Sequence, residues 1–588
     1  MQPKDFYLAK KAVYEKEATK LKAQLSSSSF MRFLVFLATI LGIYFFFQNT
    51  ILVAAIAVFG IALFSYLLIR HTNLQSDKNK AQKLLEINTT ELEVLEGKYH
   101  HLDKGQEFVN PSHHYSYDID LFGKGSFFQY INRTATAEGK SELANRLTNN
   151  NIENIIGKQE SIKELVDKPE WRQLFTALAS LVKVDYPSSK ILSWIQNYTS
   201  VIPKTMAWLP LVFTVISVVI IALAALQIIP FSFVVTWFIV GLIISGIYVL
   251  KVNHLYESST RAKSTFKQYY QLLEMIENES FTSKILNEKQ QVIKAEKEKA
   301  SVIFAKFSKL LDALDQRNNM MIGFVFNGLF LRDLRISYKI EKWIEKYHVY
   351  VERWFEVITF FDAENSLANV VFNHPQFVFP SLVEDSSVIA ATELGHPLIA
   401  NKNRIDNDFA INSHQFFIVT GANMAGKSTF LRTVSLGIVM ANAGLPVCAK
   451  SFEYKPIKLI TSMRTSDSLT DDESYFFSEL KRLKFIVDEI KTENYFIILD
   501  EILKGTNSTD KAIGSKKFVQ KLVASNSTGI IATHDLSLCE IEQELQDVKN
   551  YYFDAEITND ELHFDYKLKT GVCKNMNASF LLKKMEIV

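Results

Sequence analysis

The sequence predicts a helix-flanked, mostly parallel α/β domain at the C-terminal end, an all-α core domain before it, and four transmembrane helices in two hairpins. Three observations carry this reading. From about Val388, short β-rich runs (416–419, 459–463, 496–499 and 530–533) alternate with helical stretches, the rhythm of a parallel sheet with crossover helices. Residues 252–355 keep helical periodicity with few breakers, which suggests extended helices. Four runs, 33–47, 51–69, 207–226 and 231–250, carry no charged side chain, and about 20 apolar residues in a helix span a bilayer.

In chain order, residues 1–30 are polar and helix-prone, with Tyr7, Ala12, Leu21 and Leu25 set among lysines; they read as a cytoplasmic N-terminal helix. Hairpin 1 occupies 31–70, its two runs parted only by Gln48-Asn49-Thr50. A helical linker, 71–114, has Leu84, Leu85, Leu92, Leu95 and Tyr99 near helical spacing. Residues 115–203 form the first part of the all-α core. Hairpin 2 occupies 204–251 and turns at Gln227-Ile228-Ile229-Pro230. The helical core and its levers resume over 252–387, and the α/β domain fills 388–588. Near its end, 551–553 and 562–568 alternate like an antiparallel hairpin.

Charge orients the hairpins. Their turns hold no Lys or Arg, while the opposite ends hold Lys20, Lys22, Arg32, Arg70, Lys78, Lys204, Lys251, Arg261 and Lys263. Basic flanks stay cytoplasmic, which places both termini and the bulk of this integral membrane chain there. The first apolar run lies far from the N-terminus and a second follows at once, unlike a cleavable leader.

The chain has 588 residues, enough for about three or four domains. Its net charge of +1 supplies no global attraction for nucleic acid. Cys448, Cys539 and Cys573 lie far apart with no metal-binding spacing and read as reduced thiols.

The chemistry concentrates in Gly421-Ala422-Asn423-Met424-Ala425-Gly426-Lys427-Ser428-Thr429. This loop follows the apolar run 416–419 and opens an apolar helical pattern at Phe430. Strand, G-x-x-x-x-G-K-[ST] and helix in succession make the phosphate-binding loop of a P-loop NTPase. Gly421 and Gly426 permit the backbone angles that let amides curl round phosphate oxygens, and the helix start adds partial positive charge. Lys427 can reach the β- and γ-phosphates, and Ser428 can ligate Mg²⁺.

Two further strand ends supply partners. Phe496-Ile497-Ile498-Leu499-Asp500-Glu501 is an apolar strand ending in adjacent acids, ~70 residues beyond the loop. Side chains alternate there, so the acids can divide the work: Asp500 in the Mg²⁺ shell, Glu501 orienting or deprotonating the attacking water. Ile530-Ile531-Ala532-Thr533-His534 should lie beside the first two strands, with His534 at the edge where ligands bind, able to sense the γ-phosphate or the water.

At these residues the chain resembles the MutS family of DNA mismatch-repair ATPases. G-A-N-M-A-G-K-S-T is similar to that family's G-P-N-M-G-G-K-S-T, 500–506 resembles D-E-I-G-R-G-T, and Ala532-Thr533-His534 matches A-T-H. Ser474-Tyr475-Phe476-Phe477-Ser478-Glu479 resembles S-T-F-x-x-E, Arg464 matches the Arg of T-R-[IV]-G, and Gly395-His396-Pro397 resembles R-H-P. Upstream, 120–123, 132–136 with Gly139, and 361–368 resemble parts of the family's helical core. Nothing resembles the mismatch-reading domain or its Phe-x-Glu wedge, and hairpin 2 stands where lever and clamp helices would extend. Leu503 and Lys504 replace a Gly and an Arg of the family pattern, and Asp472-Glu473 replaces a Gly-containing approach to Ser474.

The resemblance implies an ATPase that uses ATP and Mg, with Asn423 touching phosphate, and a homodimer in which Ser474 completes the partner's site; the apolar runs make it membrane-anchored. It also implies DNA as a partner, without the wedge that reads mismatches. Stacking of the ATP adenine is expected near Arg404-Ile405. Basic clusters such as Lys481-Arg482 with Lys484, or Lys516-Lys517, read as solvated helix faces. Two other functions fit parts of the pattern: an ATP-switched membrane scaffold with a protein partner, and an ABC-type transporter ATPase. The second lacks an L-S-G-G-Q run and any charged pathway through its spans.

Overall fold

The computed structural model describes residues 2–182, 186–318, 320–464, 475–558 and 561–573. These residues gather into two compact units, one drawn from 1–92, 134–139 and 170–362, the other from 93–133, 140–169 and 363–588.

The first unit is helical. Helix α1 (Pro3–Phe45) and helix α2 (Thr50–Leu95) run 43 and 46 residues, about 65 Å each at 1.5 Å per residue. The polar N-terminal stretch and the first apolar run are one unbroken helix, so the short run 33–47 extends back through Phe30 and Met31. Asn49 turns the chain, its side chain accepting the Leu52 amide at 3.1 Å. Small residues let the rods approach: a Cβ on Gly60 would overlap Thr39, and one on Gly42 would sit 3.2 Å from Ile56. Gly60→Leu is therefore expected to part the hairpin. Disulfide trapping between cysteines placed at 42 and 56 would show it as a several-fold loss of cross-linked product.

The proximal end of the hairpin is fixed by packing. Tyr7 is fully buried, Lys10 pairs with Glu170 at 2.6 Å, and the Asn88 and Gln173 amides bond each other reciprocally at 3.1 Å.

The expectation of four transmembrane helices is corrected. Among the described residues, α1 and α2 alone are single helices long and apolar enough to cross a membrane. Helix α3 (Leu209–Ala225) has 17 residues and helix α4 (Ser232–Ile247) 16. Tyr248 leaves helical geometry at φ −104°, ψ 2°, and helix α5 (Val249–Asn278) departs at 62°, so α4 and α5 make a third candidate only if the bent pair counts as one span. Composition counts apolar residues; it does not show where the backbone turns.

A further apolar helix, α6 (Met320–Phe330), packs on α3 and α4. Gly241 and Gly328 meet backbone to backbone with no room for a Cβ on either. Trp237 donates to the Ser217 hydroxyl at 2.8 Å, which donates to the Leu329 carbonyl at 2.6 Å. The last helix here, α7 (Arg332–Asn373), bears Asp362, which is fully buried. Its carboxylate accepts the amides of Ala135 and Thr136 and the Thr136 hydroxyl, and burial pushes its pKa up to about 6. Two stretches of the family resemblance thus touch.

The second unit holds two sheets. A four-stranded sheet has the order β1-β5-β2-β3, from β1 (Ser381–Leu382), β2 (Ser387–Leu394), β3 (Asn407–Asn412) and β5 (Ser451–Tyr454). The larger sheet uses β4 (Phe416–Gly421), β6 (Lys458–Ser462), β7 (Tyr495–Asp500), β8 (Thr528–Ala532), β9 (Val548–Phe553) and β12 (Leu568–Thr570), in the order β12-β9-β4-β8-β7-β6. Five of its strands are parallel and β12 alone runs antiparallel. The expected terminal antiparallel pairing is shifted: Tyr551–Phe553 of β9 pairs antiparallel with Leu568–Thr570 of β12, and the tight hairpin between them is β10 (Glu556–Thr558) with β11 (Glu561–His563).

The four apolar runs of the sequence are β4, β6, β7 and β8, buried on both faces. Helices α8 (Lys427–Asn442), α9 (Tyr475–Glu489) and α10 (Ser508–Ala524) complete the layers. Segment 113–120 is stitched to the end of β6. Asp118 accepts from Thr461 and from the Arg464 amide, and Asp120 takes the Arg464 guanidinium bidentately at 2.5 and 2.7 Å. Arg482 is no solvated cation. It is half-buried and donates to the carbonyls of His113, His114 and Thr461.

Candidate nucleotide site

Strands β4, β7 and β8 are neighbours, so their C-terminal ends open into one cleft of about 600 Å³. Residues 422–430 line it, together with His396, Arg404, Ile405, Asp500, Glu501, Lys504, His534 and Tyr566. The loop needs its glycines: Gly421 has φ 150° and lies against the Phe553 carbonyl, and Gly426 has φ 104°. Met424 also takes a positive φ of 67° at the loop tip.

Lys427 begins α8 and is buried. Its ammonium folds back onto its own loop, donating to the carbonyls of Gly421 at 2.8 Å and Ala422 at 3.0 Å. Burial lowers its pKa, which Asp500 and Glu501 partly counter. Ser428 donates to Asp500 at 2.7 Å. These two oxygens converge from separate elements, the hard donor pair a Mg²⁺ ion favours while keeping waters and phosphate oxygens as its other ligands. Among the described residues no group of three or more His, Cys, Asp or Glu could hold a metal by itself.

Glu501 lies just past β7 at φ 51°, its amide still bonded to the Ala532 carbonyl at 2.9 Å. Its carboxylate is 3.0 Å from His534 Nε2 and 3.6 Å from Lys504 Nζ. The hydrogen bond from His534 comes first among the causes that hold its pKa at about 2, ahead of the opposing effect of burial. A carboxylate so acidic is a weak base near neutrality. His534 Nε2 is also 3.1 Å from Lys427 Nζ. One ring nitrogen can donate to Glu501 or accept from Lys427, but not both.

The structure brings together residues 421–429, Asp500, Glu501 and His534. Ser474, expected from a partner, lies outside the described residues, as do Asp472 and Glu473. Arg404 is spent on Asp406 through two bonds of 2.6 and 3.2 Å, which leaves Ile405, 44% exposed, as the apolar surface on that wall. Three cleft residues had no role in the sequence reading. Lys504 is signalled only by its place after the acids. His396 sits in the Gly395-His396-Pro397 match and is half-buried; its pKa falls to about 4 through loss of solvent, then through Arg432 and Arg404. Tyr566, at φ 53° and 43% exposed, faces Gly426 from an irregular stretch with no motif.

Fold and cleft define a P-loop nucleotide-binding domain in a parallel α/β sheet. Residues 417–584 match the family model of MutS domain V. The chain is 29% identical over 230 residues to "DNA mismatch repair protein MSH4" of Arabidopsis thaliana, covering 38% of this chain and 28% of that one. Against "DNA mismatch repair protein MutS" of Methanococcoides burtonii it is 32% identical over 219 residues, 36% and 24% of the two chains. Against "MutS protein homolog 4" of Homo sapiens it is 30% identical over 216 residues, 35% and 23%. The matches thus span less than a third of the length of these relatives.

Proposed function

We propose that this chain is a membrane-anchored ATPase of the MutS type, acting as a homodimer with composite sites and gating its binding to DNA by ATP. The observation that carries the ATPase reading is the convergence of Lys427, the Ser428–Asp500 pair and the Glu501–His534 pair on one cleft. In it, the loop amides and Lys427 would hold the phosphates, Glu501 would orient the water, and His534 would fix Glu501. Mg²⁺, held by Ser428 with Asp500 in its shell, would neutralise phosphate charge. Helices α1 and α2 support anchoring, and the names of the relatives support DNA.

The charge pattern favours a second reading, a scaffold with a protein partner. Lys484 and Lys491 pair with Asp488, and Lys516 with Glu544, so these cations are already matched by acids. The test uses the full chain in detergent with homoduplex, mismatched and branched DNA, with and without Mg·ATP. Salt-sensitive DNA binding that changes with ATP is the expected result. Negligible affinity for all three gives the scaffold reading the field. In the same preparation Ser474→Ala should lower turnover as protein concentration rises through dimerisation. Equal turnover at every concentration removes the composite site.

A further inference from the structure

The loop that follows Glu501 is bent by two residues in the left-handed region, Glu501 at φ 51° and Leu503 at φ 60°. Neither is glycine, and such conformations persist only where the surroundings fix them. Two anchors are visible. The Leu503 side chain is buried in the core beneath the sheet, in space left by Gly514 of α10, where a Cβ would come within 2.7 Å of Leu503 Cδ1. The other anchor is Glu479 on α9.

Glu479 is 3% exposed. Its Oε2 accepts the Lys504 amide at 2.9 Å, and the amides of Leu503 and Gly505 face the same carboxylate. Successive amides turned toward one carboxylate resemble a nest, a geometry a neutral loop does not need. Gly505 closes the contact: a Cβ there would lie 2.8 Å from Phe476 Cβ and 3.1 Å from its Cα. The loop therefore rests on the first turns of α9 at residues 476 and 479.

We propose that Glu479 is a positioning residue that latches the 503–505 loop to α9, so that displacement of this helix is delivered to Glu501. The proposal rests on the ATPase reading of the cleft and names how that site is regulated.

The test compares the full-length parent, Glu479→Gln and Glu479→Asp in detergent. Hydrogen exchange over 500–506 reads the latch without nucleotide, and exchange over β7 reports that the fold is intact. Glu479→Gln leaves one neutral acceptor for three amides. Exchange at 503–505 should accelerate roughly tenfold and kcat fall roughly tenfold, with affinity for a non-hydrolysable ATP analogue within about threefold of the parent. Glu479→Asp, one methylene short, should fall between the two on both readouts and serves if the Gln variant does not fold. Unchanged exchange at 503–505, or a loss of nucleotide affinity matching the loss of kcat, overturns the latch. A parent that neither binds nor hydrolyses Mg·ATP overturns the ATPase reading instead, while the exchange result still decides the latch.

Discussion

Lys427→Ala should lower affinity for Mg·ATP by about 10²–10³-fold, a loss of the order found when one charged donor is removed from a preorganised site. The ammonium is the one cation on the phosphate loop, and it is buried, so its interaction with phosphate is little screened by solvent. In the nucleotide-free protein it also ties the Gly421 and Ala422 carbonyls, and the alanine variant leaves both without that donor. Lys427→Arg should not rescue binding, because a planar fork cannot replace a compact ammonium in this space. Isothermal calorimetry with Mg·ATP measures the effect, and a thermal melt separates it from unfolding. Affinity within threefold of the parent would remove Lys427 from the site.

The second large effect is expected at Glu501. Glu501→Gln keeps shape and hydrogen-bonding capacity but loses the charge that orients a water. It should retain nucleotide while cutting turnover by about 10²–10⁴-fold. Single-turnover kinetics with labelled ATP would show bound, uncleaved nucleotide. Hydrolysis at the parent rate would sink the assignment. The same variant has a pH signature. The folded-state pKa of Glu501 is depressed from 4.5 to about 2, so the ionised group stabilises the parent above pH 4.5, and this contribution is lost as pH falls toward 2. Glu501→Gln should melt lower than the parent at neutral pH and converge with it toward pH 2.

Much of this cleft could be read from the chain because its chemistry is local. A glycine-bounded loop after an apolar strand dictates its own geometry, and acids or a histidine at the end of a buried strand must emerge at the sheet edge. The residues that steady them could not be read in the same way. Glu479 enters the sequence only as the last residue of the S-T-F-x-x-E match, and its part in steadying the site shows once the loop beyond β7 is seen to wrap it. Arg482 looks solvated until carbonyls from segment 113–114 and from Thr461 are seen to surround it. In the membrane-like region, residue type gave apolarity but not the break at Tyr248, and α6 was hidden inside a longer helical periodicity. The family resemblance named the right domain. Leu503, where that family carries glycine, shows that this chain tolerates a left-handed leucine by burying its side chain.

The two long rods have a mechanical consequence. Each measures about 65 Å against a hydrocarbon layer of about 30 Å, so a bilayer crossing would consume less than half of either. What remains is a stiff mast whose foot is clamped by Tyr7 and the Lys10–Glu170 pair. In the proposed anchored state, a mast of that kind would set a standing height above the lipid and confine copies of the chain to a thin layer, where they would meet by sliding sideways.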